Sequence, residues 1–315
     1  MIRLMTVLML IMLASTLGAC VHSVIYTSNV EDAVPPEGDT LVVNGSDVHV
    51  IQTGQADGAP VLFIHGASAN ANEFDWTLAP LLEDRFKLMM ADRPGHGYSG
   101  RPDEGHRLGV QAEQMAGVLE QRANGEKAVI VGHSFGGAVA LRLALDHPDR
   151  VKGLVLLAPV SHDWGGGGQA WYNRWATTPL VGPVFSNLVP LVGPRIAADG
   201  AASTFDPAPV PENYVTRSGI NLLFRPPTFR ANARDVMALR EELAAQQTRY
   251  GELEIPVVVF SGSLDTVLLP KLHAGRLKDQ VADITLVKLP EEGHMPHHRE
   301  SEQIAEAIAR LASAR

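Results

Sequence analysis

The stretch Gly132-His133-Ser134-Phe135-Gly136-Gly137 places a serine between glycines, directly after the apolar run Ala128–Val131. A hydroxyl is a weak nucleophile unless a base takes its proton. A tight turn from strand to helix would expose Ser134 at a helix head, where developing negative charge is favoured. The base on offer is His294, in Glu292-Gly293-His294-Met295, just beyond the run Ile284–Leu289. Asp265, directly after Val257–Phe260, can accept a bond from that imidazole, select its useful tautomer and stabilise the imidazolium. Asp163 is a second candidate orienter, set in polar sequence that leads into Gly165–Gly168.

Acyl transfer also needs donors aimed at the oxyanion of the tetrahedral intermediate. The amide of Phe135 supplies one by position. The loop His65-Gly66-Ala67-Ser68 supplies the second, assigned to the amide of Ala67. His294, His297 and His298 invite a metal reading, but two are adjacent and no convincing set of carboxylate partners is apparent. No metal is expected. The segment Asp92-Arg93-Pro94-Gly95-His96-Gly97-Tyr98-Ser99 reads as a rigid bend that ties loops together, with Asp92 and His96 in mainly architectural roles. No phosphate-cradling, flavin, haem or nicotinamide fingerprint stands out, so no cofactor is expected.

These residues must be held by the elements between them. Apolar runs at Val61–Ile64, Lys87–Ala91, Ala128–Val131, Gly153–Leu157, Pro256–Phe260 and Ile284–Leu289 predict strands buried on both faces. Thr40–Val43 and Asp47–Gln52, joined by Asn44-Gly45, predict a hairpin. Helical patterns at Trp76–Leu82, Leu108–Arg122, Phe135–Asp146 and Glu300–Leu311 alternate with these strands. The alternation predicts an α/β fold: a mostly parallel sheet covered by helices. Between Pro159 and Pro256 the rhythm breaks into aromatic, proline-dense sequence with one amphipathic helix near Asp235–Gln247. That region reads as a cap inserted over the sheet, with Gly165–Gly168 as a mobile hinge.

Arg3 precedes an uncharged apolar stretch, Leu4–Ala19, ending at Cys20. Its length suits a secretion signal better than a spanning helix. The expected organisation is a signal peptide over 1–19, a tether over 20–39, a core over 40–160 and 251–315, and a cap over 161–250. Cys20 is the only cysteine, so the chain has neither an internal disulfide nor a thiolate cluster. With 26 basic against 35 acidic residues and a net charge of −9, the chain lacks the basic footprint of a nucleic-acid partner.

In order along the chain, His65-Gly66, Asp92–Gly97, Gly132–Gly137, Gly262 with Asp265, and Gly293-His294 resemble the capped branch of the α/β-hydrolase superfamily. That branch includes esterases, epoxide hydrolases, haloalkane dehalogenases and carbon–carbon bond hydrolases. The resemblance implies an eight-stranded, mostly parallel sheet with an inserted, mainly helical cap. Where the epoxide and haloalkane enzymes carry an aspartate nucleophile, this chain has Ser134, which suits an acyl carbonyl. The expectation is a carboxylic-ester hydrolase working through an acyl-enzyme on a small-molecule ester, lipid-like or aromatic. Hydrolysis of a vinylogous diketone, of a lactone, thioester or amide, or a silent envelope-binding role are the alternatives. Residues 1–20 resemble a bacterial lipoprotein signal. This implies lipidation of Cys20, membrane attachment through it, and a site facing the periplasm or cell exterior.

Overall fold

The computed structural model describes residues 2–166 and 170–314. A long helix, α1 (Ile2–Ala33), precedes the sheet. The strands are β1 (Asp39–Val43), β2 (Ser46–Gly54), β3 (Ala59–Ile64), β4 (Phe86–Ala91), β5 (Ala128–His133), β6 (Val151–Leu157), β7 (Val257–Gly262) and β8 (Ile284–Leu289). They form one eight-stranded sheet in the order β1-β2-β4-β3-β5-β6-β7-β8. From β4 to β8 neighbouring strands run parallel, while β2 pairs antiparallel with both β1 and β4.

Why the strands read as unbroken apolar runs is plain from the two cores. Leu62, Ile64, Met89, Ile130 and Leu156 face α3 (Leu108–Arg122) and α4 (Phe135–Asp146), alongside Met115, Leu119 and Leu141. The alternate residues Val61, Phe63, Leu88, Met90, Val129, Val131 and Val155 face the other way, onto Ile304 and Ile308. Those two belong to the C-terminal helix, which spans Ser301–Ser313. Each fully buried Leu, Ile or Phe contributes about 1.5–3 kcal/mol, so both faces stabilise the sheet.

The β1–β2 hairpin turns at Asn44 (φ 50°) and Gly45 (φ 76°), the backbone that an Asn-Gly pair supplies. Helicity expected at Trp76–Leu82 is shorter and earlier: α2 spans Asn72–Asp75, and a single 3₁₀ turn covers Ala79–Leu81. Pro80 sits in the first turn of that 3₁₀ segment, where its missing N–H costs no hydrogen bond.

Between β6 and β7 the chain leaves the sheet and forms α5 (Trp171–Thr177), α6 (Val181–Phe205), α7 (Tyr214–Arg217) and α8 (Pro226–Gln246). Helix α8 begins nine residues before its amphipathic core, with Pro226 and Pro227 in the first turn, where proline costs no hydrogen bond. Helix α6 runs through Pro190 and Pro194. Interior prolines cost about 3 kcal/mol each, and packing overrides them: Pro190 is buried, and Gly193 lies against the ring of Phe224. Of the proposed glycine hinge, Gly167 and Gly168 lie outside the described residues. After β7, α9 (Arg276–Gln280) leads to β8, and α10 (Ser301–Ser313) closes the chain.

Within the segment read as a tether, 20–39, α1 continues through Cys20 to Ala33. Tertiary contacts account for helix where the sequence has no sustained period. Ser23 and Val30 are buried, the Tyr26 hydroxyl donates to the Asn221 carbonyl at 2.8 Å, and Glu31 pairs with Arg225 at 2.7 Å. Among the described residues no helix is long and apolar enough to cross a membrane.

Candidate active site

Ser134 stands between the end of β5 and the start of α4, with φ 51° and ψ −114°. It is the one residue of 131–140 that is not buried. A non-glycine residue in that conformation is strained and persists only where its surroundings over-determine it. Here the Ser134 amide donates to the Leu157 carbonyl on β6 at 3.0 Å, and its carbonyl accepts from Gly137 (3.0 Å) and Val160 (3.1 Å). The flanking glycines make the turn possible. A Cβ on Gly136 would run into the Ile64 carbonyl, and one on Gly132 into that of Gly136.

Asp265 and His294 come together from loops beyond β7 and β8. The His294 Nδ1 donates to Asp265 Oδ2 at 2.8 Å, and both side chains are buried. The second carboxylate oxygen of Asp265 accepts from the amides of Val267 (2.8 Å) and Leu268 (2.9 Å). The carboxylate is therefore fixed in rotation by three donors. His133 Nε2 donates to the His294 carbonyl at 3.0 Å, and the two imidazole centroids lie 5.1 Å apart. The His294 loop is thereby tied to the residue next to Ser134. Burial, with His297 and His294 nearby, drives the pKa of His133 well down and keeps it a neutral donor.

Asp163 serves elsewhere. It accepts from Arg240 Nε and from the Gly165 amide, each at 2.9 Å. Asp92 and His96 are structural: Asp92 accepts from His49 (2.7 Å) and from the amides of Ala71 (2.8 Å) and Tyr98 (2.9 Å), while His96 is buried beside Arg93. Burial alone would raise the Asp92 carboxyl, but the His49 bond and the charge of His65 outweigh it and leave it lowered.

The loop carrying Ala67 is held from behind by Arg93, a residue for which the sequence suggested only a tying role. Its guanidinium donates to the carbonyls of His65 (Nε, 3.1 Å) and Gly66 (Nη2, 3.1 Å). In a trans peptide the C=O and the next N–H point in opposite directions. Anchoring the Gly66 carbonyl on Arg93 therefore turns the Ala67 amide away from the guanidinium. The loop also passes close to the serine: a Cβ placed on Gly66 would sit 3.2 Å from Ser134 Cβ. Among the described residues, neither the Ala67 nor the Phe135 amide has a protein acceptor.

Arg93 is fully buried and bonded to Asp235 of α8 at 2.9 Å, with Arg101 on the other carboxylate oxygen at 2.7 Å. Burial lowers the Arg93 pKa to about 10 against the pull of Asp235, leaving it charged at neutral pH. Nearby, Asn232 of α8 accepts from the Ser68 amide at 2.7 Å and donates to its hydroxyl at 3.2 Å. Nothing local in the sequence marks Asn232 or Asp235 as partners of a loop more than 140 positions earlier. The cap helix is thus bonded to the loop that carries Ala67. An Asp235→Ala protein should lose about 3–5 kcal/mol of stability, because a buried guanidinium loses its carboxylate. Urea unfolding checks this, and a loss under 1 kcal/mol would show that water or Gln111, whose side-chain oxygen also accepts from Arg93 Nη1 at 3.0 Å, compensates.

A family model described as the alpha/beta hydrolase fold matches residues 59–301. The chain belongs to that family. Over 252 residues it is 29% identical to a protein named as a carbamate hydrolase, RutD of Variovorax paradoxus, covering 78% of this chain and 89% of that one. Other curated relatives are matched over only 36–44% of their own length. An esterase from Exiguobacterium antarcticum superposes with a TM-score of 0.69 at 21% identity, covering 88% of this chain and all of that one. A membrane phospholipase A, described as a bacterial virulence factor, superposes at 0.70 and 20% identity over the whole of both chains. Both superpositions share the α/β-hydrolase fold of this chain.

Proposed function

We propose that the protein is a serine hydrolase of carboxylic esters, acting through an acyl-enzyme on substrates with apolar, lipid-like acyl chains. The observation that carries the reading is a strained, accessible serine at a helix head whose neighbour His133 bonds the His294 carbonyl, with His294 in turn bonded to the buried Asp265. Ser134 attacks the carbonyl carbon while His294 accepts its proton. The amides of Phe135 and Ala67 receive the oxyanion, and His294 returns the proton to the leaving alcohol. Water, deprotonated by the same imidazole, then releases the acid. Asp265 stays ionised throughout.

The apolar surface of the cap supports the substrate class. Val184, Leu188, Val192 and Ile196 recur every four residues along α6 and are all exposed, as are Trp171 and Trp175 of α5. A continuous apolar stripe of this kind marks an interaction surface, and a lipid layer would cover it. Thr16 and Ala19 of α1 border the same crevice as Val184 and Leu188. An acyl chain on Cys20, following cleavage of an export signal, would anchor the protein beside this stripe, outside the cytoplasm.

The test is a fluorophosphonate label with peptide mapping, followed by an ester panel given as monomers and in vesicles. Labelling should fall on Ser134, and turnover should rise when long-chain esters are presented in a bilayer. Absence of label from Ser134 would remove the hydrolase reading; equal rates on monomers and vesicles would remove the lipid one.

A further inference from the structure

Glu73 of α2 lies in a second polar cluster, separate from the aspartate–histidine pair. Its Oε1 accepts from His297 Nε2 at 2.9 Å and from His298 Nε2 at 2.8 Å, and its Oε2 accepts from the Tyr214 hydroxyl at 3.2 Å. Glu73 is 1% exposed and His297 fully buried. Among the described residues no lysine or arginine pairs with this carboxylate. Buried carboxylates are ordinarily paired with a cation or bound to a metal. Aromatic rings of Trp76, Phe205 and Tyr214 pack around the His298 imidazole at centroid distances of 4.7–5.6 Å and fix its direction.

We propose that Glu73, His297 and His298 form a site for a divalent transition metal of the zinc type, with Tyr214 as the outer partner of the carboxylate. The three ligand atoms lie within 4.8 Å of one another. A cation among them reaches each at about 2.0–2.2 Å with small ring movements. Two imidazoles and one carboxylate suit zinc, cobalt or nickel, whereas magnesium and calcium take shells of oxygen. Three protein ligands leave one tetrahedral position for water.

The unpartnered nitrogens of the cluster point the same way. A neutral imidazole carries one ring proton, and His297 here donates it from Nε2. Its Nδ1 is then a buried lone pair with no donor. When a metal takes the Nε2 lone pair, that proton resides on Nδ1 instead. The His133 ring stands 4.7 Å away, centroid to centroid, and its Nδ1 is also buried without a partner. Metal loading therefore puts a proton on His297 Nδ1, in a ring packed against that of His133. His133 in turn holds the His294 carbonyl, so the metal site would adjoin the loop that carries the candidate base.

The experiment uses the full chain, stripped with a chelator and titrated with Co²⁺. One equivalent should bind with the visible absorption of a four-coordinate ion, and Zn²⁺ should bleach it. Glu73→Gln and His298→Asn should each weaken binding by more than the about 10–100-fold that loss of an outer partner costs. Should Glu73→Gln fail to fold, His298→Asn carries the same expectation. Histidines elsewhere on the surface are unchanged in both variants. Absence of a saturable one-equivalent band in the wild type, or wild-type affinity in His298→Asn, overturns the site. None of these readouts depends on ester hydrolysis.

Discussion

Ser134→Ala should lower kcat on any ester the protein turns over by about 10⁶-fold, with little change in melting temperature. Alanine keeps the Cβ and with it the positive-φ strain, and the bonds that fix the turn are all made by backbone atoms. The fold therefore has no reason to notice the change. The chemistry does, because His294 would have no hydroxyl to deprotonate. Residual turnover should exceed the uncatalysed rate, since the two amides still favour the oxyanion. Steady-state kinetics and a thermal melt on the same preparation read both halves. Turnover within tenfold of wild type would mean that another group attacks.

The site is more than its nucleophile, because the cap and the core share its bonds. Asn232 and Asp235 lie one turn apart on α8 and reach the same loop by two routes, Asn232 through Ser68 and Asp235 through Arg93. Displacing α8 would loosen the support behind the Gly66–Ala67 peptide. Helix α8 and the loop carrying Ala67 therefore share one set of hydrogen bonds.

How much of this is written locally in the chain varies with the kind of interaction. Strands β3 to β8 are legible because a parallel sheet covered on both faces needs unbroken apolar runs, as in Val61–Ile64 and Val257–Phe260. The turn at Ser134 is legible because only glycine fits beside the Ile64 carbonyl. Helix α6 is not, since two interior prolines argue against it and only packing on Phe224 and its cap neighbours overrules them. The helical start of the segment read as a tether is hidden for the same reason: its partners, Asn221 and Arg225, lie nearly 200 residues away. The histidine-rich stretch is the most instructive case. The carboxylates that His294, His297 and His298 meet are not their neighbours in sequence, and the fold divides the set, giving His294 to Asp265 and the other two to Glu73. Glu73 stands 224 positions before His297, at a separation where no motif operates.

The bonds around Asp265 make the outcome of Asp265→Asn unusually definite. The amides of Val267 and Leu268 both point at one side-chain oxygen, so an asparagine must place its carbonyl there to accept them. Its NH₂ group then faces His294 Nδ1, where the carboxylate oxygen stood at 2.8 Å. A donor in that place requires a lone pair on Nδ1 and sends the ring proton to Nε2. The nitrogen meant to accept the serine proton is then already protonated. kcat should fall by about 10⁴-fold, as expected when the base is held in the wrong tautomer. KM and the urea midpoint should barely change, because shape and hydrogen-bond count are preserved. Nitrogen-15 histidine spectra of the variant should show the His294 proton on Nε2; finding it on Nδ1 with activity intact would remove Asp265 from the machinery.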